Sequence, residues 1–406
     1  MNNILDENGR VNSCTGCGMC SAVCPVDAIE IKLNADGFYR PVVNETKCIS
    51  CGICKKSCYC YEDRYDSEEP KFTPVCYSAK NKNEEELKQA SSGAVSIELM
   101  RKCLELGYQV VGVAYDYKTD TAVTKIARTE EELQEFRGSK YFQSNTEEAL
   151  KRLVKDHSDT KYAFFGTPCQ IYAVSKYCDL KNCRDRFLLV DIFCHGCPSI
   201  HLWKKYLESQ KKQHAVETFD QIRFRSKTYG WHEYCIDFLK GSNEYASEKY
   251  NDPFFEMFFD KDIMNEACYA CKARSSVSKT DIRIGDFWGW QYDLDVQGVS
   301  AVIVNSEKGN ELFEQVKDKF TTRTFSLEEV VEAQSYGEKH TYNEDRRAYL
   351  LERLSSEEEI HSIQKKYRTM FSKGKNIKRI LKNFVKRYGG KYYLILRQKN
   401  HKNGNA

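Results

Sequence analysis

Two runs of cysteines near the N-terminus constrain this chain more than any other feature. Cys14, Cys17, Cys20 and Cys24 recur as Cys48, Cys51, Cys54 and Cys58, each displaced by 34 residues. The first run reads Cys-x2-Cys-x2-Cys-x3-Cys-Pro, ending at Cys24-Pro25, and the second lacks the proline. Three thiolates spaced by two residues wrap a tight loop around a small volume, and a remote fourth closes the site, which is what a cubane iron–sulfur cluster needs. Zinc sites favour paired Cys-x2-Cys units over triplets, so the pattern weighs against zinc. Between the runs, Ala28 to Lys32 and Phe38 to Val43 read as two short strands turning at Asp36-Gly37.

The pattern resembles a bacterial-type dicluster ferredoxin module. The resemblance implies that the fourth cysteine of each run ligates the other cluster. Cys14, Cys17, Cys20 and Cys58 would then hold one 4Fe–4S cluster, and Cys48, Cys51, Cys54 and Cys24 the second. One departure stands out: Tyr59 replaces the usual proline, and Cys60 lies close enough to Cys58 to compete with it.

The chain has 406 residues, so two or three domains are expected. We divide it into a dicluster module at 1–60, a polar linker at 61–80 with Pro70 and Pro74, an α/β domain at 81–350, and a basic tail at 361–406. No apolar run is long enough to span a membrane, and the first ten residues do not look like an export signal. A cytoplasmic protein is expected, with nineteen thiols facing a reducing compartment and read as metal ligands or redox groups. The net charge of +3 combines a +14 tail with a −11 body, so nucleic acid is not an expected partner. In the tail, Ile377, Ile380, Leu381, Phe384 and Val385 fall at helical spacing among lysines. Such a helix either packs on the acidic body or makes a peripheral contact with an anionic membrane.

The region 81–350 alternates helices with strands, which predicts βαβ units and a largely parallel sheet. Expected strands are Tyr108 to Tyr115, Tyr162 to Phe165, Phe187 to Phe193, Gln221 to Arg225, Tyr234 to Leu239, Asp281 to Gly285 and Ala301 to Asn305. Expected helices open at Ser91-Ser92-Gly93, at Thr146, after Gly166-Thr167-Pro168-Cys169 and at Ser199. Cys169, the Cys194/Cys197 pair and the Cys268/Cys271 pair sit at ends of these elements. Spacing leaves three readings open: a zinc site from the two pairs, a third iron–sulfur site that includes Cys169, or a nucleophilic Cys169 at a helix N-terminus. Cys60, Cys76, Cys103, Cys178, Cys183 and Cys235 read as isolated thiols.

Five short motifs occur in order: Ser91-Ser92-Gly93-Ala94-Val95, Gly138-Ser139-Lys140-Tyr141, Gly166-Thr167-Pro168-Cys169-Gln170, Phe193-Cys194-His195-Gly196 and Ile284-Gly285-Asp286-Phe287-Trp288-Gly289. Together they resemble the beta subunit of coenzyme F420 hydrogenase/dehydrogenase over residues from about 75 to 340. The resemblance implies FAD and a third 4Fe–4S cluster at Cys169, Cys194, Cys268 and Cys271, with Cys197 a departure from the family pattern. Ser91, Ser92, Gly93 and Ala94 lead into a helix whose N–H groups suit a pyrophosphate, and Gly93 would permit its close approach. Gly138, Ser139, Lys140, Tyr141, Gly166 and Thr167 are further candidate flavin contacts, with Lys140 supplying charge. His195, Asp286 and Trp288 are candidate lining residues, and no catalytic residue is assigned. No Gly-x-Gly-x-x-Gly is present to indicate a Rossmann nicotinamide site.

The leading expectation is an FAD- and iron–sulfur-dependent oxidoreductase exchanging a hydride with a small organic molecule, F420 or another. Its clusters would pass single electrons to a redox carrier or partner oxidoreductase. The alternatives are an electron-transfer subunit without its own substrate and a non-catalytic zinc adaptor.

Overall fold

The computed structural model describes residues 2–5, 13–61, 72–332, 334, 336, 339–378 and 381. The expected N-terminal hairpin is present, with β1 (Ile29–Leu33) and β2 (Tyr39–Val43) paired antiparallel. The cysteine repeat is also a repeat of backbone conformation. Gly16 and Gly18 take left-handed φ values of 67° and 80°, and Ser50 and Gly52, 34 residues on, take 56° and 72°. Each pair bends the chain tightly and leads into one helical turn, Met19–Ala22 or Ile53–Lys56, that carries the third cysteine of its run.

The remaining strands, in chain order, are β3 (Val75–Asn81), β4 (Tyr108–Asp116), β5 (Thr121–Ala127), β6 (Ser144–Asn145), β7 (Lys161–Gly166), β8 (Phe187–Ile192), β9 (Gln221–Ser226), β10 (Cys235–Lys240), β11 (Asn243–Ala246), β12 (Ile282–Asp286), β13 (Ser300–Val304) and β14 (Phe320–Phe325). Nine of them form one sheet in the order β14-β3-β13-β12-β8-β7-β4-β5-β6, and β9, β10 and β11 form a small antiparallel sheet. The large sheet is mixed, which corrects the expectation of a largely parallel one. Its centre, β12-β8-β7-β4, is parallel, but β13, β3 and β14 add antiparallel on one side and β5 on the other. The reason lies in the connections. Only residues 117–120 separate β4 from β5, too few for the crossover that a parallel pair requires.

Two boundaries also move. The segment read as a linker ends in β3, which lies between β13 and β14 with Cys76, Tyr77, Ser78 and Ala79 buried; residues 62–71 lie outside the described residues. The segment read as tail begins inside the helix Ile360–Thr369, which buries Ile360, Ile363 and Tyr367 against the small sheet and its helices. Lys375 pairs with Asp260 at 3.2 Å on the same body. Residues 379, 380 and 382–406, the bulk of the segment read as either a helix packed on the body or a peripheral membrane contact, lie outside the described residues. No helix among the described residues is long and apolar enough to cross a membrane.

The sheet is covered on one side by the helices Val95–Glu105 and Glu307–Glu314 and on the other by Pro168–Lys181. Gly93, just before the first of these, is pressed onto the sheet. Its carbonyl accepts from Asn81 N at 3.0 Å, and its N–H donates to Ser300 Oγ at 2.9 Å. A Cβ there would stand 2.1 Å from the Ala79 carbonyl oxygen. The glycine is therefore required by packing against β3 and β13.

The cysteine module is fastened to this body by hydrogen bonds from residues 143–147. Gln143 Nε2 donates to Thr15 O at 2.6 Å and its Oε1 accepts from Tyr39 N at 3.0 Å. Thr146 Oγ1 donates to Cys17 O at 2.7 Å, and Glu147 accepts from Ser21 Oγ at 2.6 Å and Ile31 N at 3.1 Å. Met19, Ala22 and Tyr59 share an apolar core with Ile171, Tyr172 and Ala173.

Two outcomes are expected. Glu147→Ala leaves the Ile31 N–H without its acceptor, while the Ser21 hydroxyl keeps the Ile29 carbonyl, at a cost of about 1–3 kcal/mol. Urea denaturation should show that loss, and amide exchange should quicken in β1; unchanged exchange there would contradict the interface. Gly93→Ala forces a Cβ into the β3 backbone, at about 1–3 kcal/mol, whereas Gly374→Ala meets no atom within 4 Å. Thermal denaturation should therefore separate the two variants.

Candidate functional site

The thiols of the module fall into two neighbourhoods that cross the two runs. Cys14, Cys17, Cys20 and Cys58 act on one another electrostatically, while Cys54 has Cys24 and Cys51 as neighbours and also reaches Cys20. Burial pushes the Cys17 thiol up to about 12, with Cys58 and Cys14 adding to it, and pushes Cys54 up to about 11. Thiols so desolvated ionise only against a strong local positive charge, the demand an iron core meets. Cys48 is half-buried, with its sulfur 4.0 Å from Asn3 Nδ2, and Cys51 is exposed. Cys60 hydrogen-bonds Cys58, so the competitor expected from sequence is in place beside the first set.

The fold brings a third group of thiols together from three segments. Cys169 lies in the first turn of the helix after β7, with its sulfur 3.1 Å from Thr167 Oγ1. Cys194 and Cys197 follow β8 and hydrogen-bond each other. Cys268 lies in the helical turn Glu266–Tyr269, where it accepts from Cys197 N at 3.4 Å, and Cys271 follows. Cys169 has Cys271, Cys194 and Cys268 as electrostatic neighbours. Its own thiol is pushed well up by burial, the opposite of what a nucleophile needs. Cys194 is held down to about 7, first by the hydrogen bond from Cys197, against its burial. Among the described residues, no three Cys, His, Asp or Glu groups converge closely enough to hold a single metal ion.

Arg283 on β12 positions this group. Its guanidinium pairs with Asp191 of β8 through Nε at 2.7 Å and Nη2 at 2.6 Å, both side chains fully buried. The same guanidinium donates to the carbonyls of Ala273, Arg274 and Ser276, just beyond Cys271.

A cavity of about 550 Å³ opens beside these thiols, within the range of cofactor sites. It is lined at once by Cys17 of the module, by Cys169, Cys194 and Cys197, and by Ala94, Val95, Ser96 and Ile97. The helix Val95–Glu105 starts from Ala94, itself left-handed at φ 62°, and no side chain caps it. Its first N–H groups therefore meet the cavity with the positive end of the helix dipole behind them. Ser91, Ser92, Gly138, Ser139, Lys140, Tyr141, Gly166 and Thr167 all line the same space. The Ser91 hydroxyl accepts from Ser139 N at 3.1 Å, so the first two motifs meet.

Two expected roles change. Gly93 is not part of the lining, because it faces β3 and β13. Lys140 spends its Nζ on the carbonyls of Val113 at 2.8 Å, Arg137 at 2.9 Å and Glu135 at 3.1 Å, and burial pulls its ammonium down to about 7. The cation suited to an anion here is Arg137, which lines the cavity and whose buried Nη1 has no hydrogen-bond partner. Glu86 fixes the other side of that guanidinium through Nη2 at 2.7 Å. Sequence reasoning passed over Arg137 although it directly precedes Gly138.

His195, Asp286 and Trp288 line the cavity as expected. Burial holds the His195 imidazole down to about 3, with Lys261, His340 and Arg274 adding to it, so it is neutral near pH 7. Asp286 accepts from Trp231 Nε1 at 2.8 Å, and Trp288 stacks on Trp231 with centroids 5.0 Å apart.

Comparison with known proteins agrees with this arrangement. Residues 13–60 match the 4Fe–4S dicluster domain. Residues 76–151 and 159–329 match the N-terminal and C-terminal parts of the coenzyme F420 hydrogenase/dehydrogenase beta subunit. An uncharacterised protein of Methanocaldococcus jannaschii is 22% identical over 355 residues, which cover 77% of this chain and 89% of that one. A chain of the F420-reducing NiFe hydrogenase complex from Methanosarcina barkeri matches at 22% identity and a TM-score of 0.45, covering 76% of this chain and 93% of that chain. The two beta-subunit matches span most of the body and the dicluster match spans the module, so the chain belongs to the coenzyme F420 hydrogenase/dehydrogenase beta-subunit family, as an iron–sulfur electron-transfer member with its own 4Fe–4S dicluster domain.

Proposed function

We propose that this chain is a cytoplasmic iron–sulfur flavoprotein oxidoreductase. It would exchange a hydride with a small organic molecule, F420 or a similar carrier, and single electrons with a redox carrier or partner oxidoreductase. The observation that carries the reading is the cavity. One space is bordered by an uncapped helix N-terminus, a buried cation with a spare donor, and thiols of both the body and the module.

The residues present fit FAD. The N–H groups at the start of Val95–Glu105 and Arg137 Nη1 would hold its pyrophosphate, while Tyr141, Tyr234 and Trp288 contribute aromatic walls. When bound, a flavin supplies the exchange of an electron pair for single electrons. The protein's own part is to orient the flavin and keep water from it: Phe258, Phe259 and Tyr234 pack against one another and against neutral His195 at the cavity wall. The thiols fit three clusters. Cys14, Cys17, Cys20 and Cys58 would hold the first, and Cys24, Cys48, Cys51 and Cys54 the second. Cys169, Cys194, Cys268 and Cys271 would hold the third, with Cys197 donating to Cys194.

Cys169→Ser tests the third cluster. Iron in the anaerobically purified protein should fall from about 12 to about 8 per chain, with FAD retained. Unchanged iron would remove Cys169 from the ligand set. Arg137→Met tests the flavin site. Losing a charged hydrogen bond worth about 1.5–3 kcal/mol should weaken FAD binding by roughly 10- to 150-fold, measured by equilibrium dialysis of the deflavinated protein. Undiminished affinity would place the pyrophosphate elsewhere.

A further inference from the structure

Tyr59, the residue standing where dicluster modules have proline, is the one sequence departure that the proposed function leaves without a role. It is buried, at 9% exposure, although it follows a module cysteine directly. Its ring meets Tyr172 of the helix Pro168–Lys181 edge to face, with centroids 5.6 Å apart, and its hydroxyl lies 3.4 Å from Thr15 Oγ1. The apolar core containing Tyr59 has Cys17 of the module packed against it, together with Cys169 and Cys271 of the body. Those same thiols, with Cys60, are the charged neighbours that its phenol feels. Tyr59 thus occupies the junction between the first module set and the body set, while Cys51 of the other module set is exposed.

Proline at this position would leave that junction without an aromatic ring. We propose that Tyr59 is a positioning residue that seals this junction, fixing the spacing of the Cys14 and Cys169 thiol sets and excluding water between them. The proposal rests on the reading that both sets hold clusters. With clusters bound, one electron would pass from a reduced centre on one side to an oxidised centre on the other, with no bond made and no proton moved. Electrons would pass between module and body beside Cys17, and Cys51 is the exposed thiol of the other module set.

The test uses the anaerobic full-length protein, with Tyr59→Phe, Tyr59→Leu and Tyr59→Ala beside it. Redox titration followed by electron paramagnetic resonance gives each cluster's potential, and wild type should show magnetic interaction between the two centres. Tyr59→Phe keeps the ring and should match wild type. Tyr59→Ala admits water, which favours the more highly charged reduced state, so the potential of the Cys14 cluster should shift upward. Rapid-freeze measurements should also show slower equilibration between the two centres. If Tyr59→Ala does not retain its iron, Tyr59→Leu carries the test, with a smaller shift in the same direction. Wild type with about 12 irons but no magnetic interaction, or variants with unaltered potentials and rates, would overturn the role of Tyr59 alone. Wild type with about 8 irons would overturn the third cluster and the junction together.

Discussion

The buried pair between Arg283 and Asp191 is the interaction on which the site depends most. It joins β12 to β8 at the strand ends, where Cys194 follows three residues beyond Asp191. The remaining donors of the same guanidinium hold the carbonyls of residues 273–276, which fixes the loop that carries Cys271. Removing one partner of such a pair leaves an uncompensated charge in the interior, at a cost of about 3–5 kcal/mol. A second anchor lies at the start of β12, where Asp281 accepts from Arg184, Ser306 and the Leu189 N–H. Thiols from distant segments therefore converge because two strands and one loop share a polar clamp.

The helix Pro168–Lys181 converts that clamp into a link with the module. Most of its residues are buried around the whole circumference, including Ile171, Tyr172, Ala173, Val174 and Tyr177. A helix apolar on every side must be covered on every side. The sheet covers one face, and Met19, Ala22 and Tyr59 of the module cover another. Glycines make the approach possible. A Cβ on Gly16 would meet Gln143 Nε2 at 2.2 Å, and one on Gly18 would meet Thr146 Oγ1 at 2.4 Å. The same left-handed glycines that wrap the cysteine loops thus let those loops lie against the body. Module and body form a continuous core rather than two domains on a tether.

The parts legible in sequence were those set by local spacing. The cysteine runs, the hairpin around Gly37 and the apolar strands β4, β7, β8 and β12 all follow from patterns within a few residues. Strand direction does not, because it depends on which neighbour a strand finds. β3 lay hidden beside a polar stretch, and β14, Phe-Thr-Thr-Arg-Thr-Phe, shows its apolar residues only at its ends. Site contacts failed for a similar reason. Lys140 looks like the available charge until its Nζ is seen to be spent on three carbonyls, and Arg137 looks incidental until one of its nitrogens is found buried and unpaired. The body thiols stay ambiguous between zinc and a cluster in the sequence because their arrangement is a property of three chain segments meeting, which no spacing encodes.

In the proposed function, three thiol sets and one cofactor cavity form a single redox unit across the module and the body. The most direct measurement is an iron-edge anomalous difference map from crystals of the full chain grown without oxygen. The account predicts three iron peaks, one within each thiol set, and flavin density in the cavity beside Cys169 and Arg137. Peaks confined to the module, with zinc or nothing among Cys169, Cys194, Cys268 and Cys271, would contradict it.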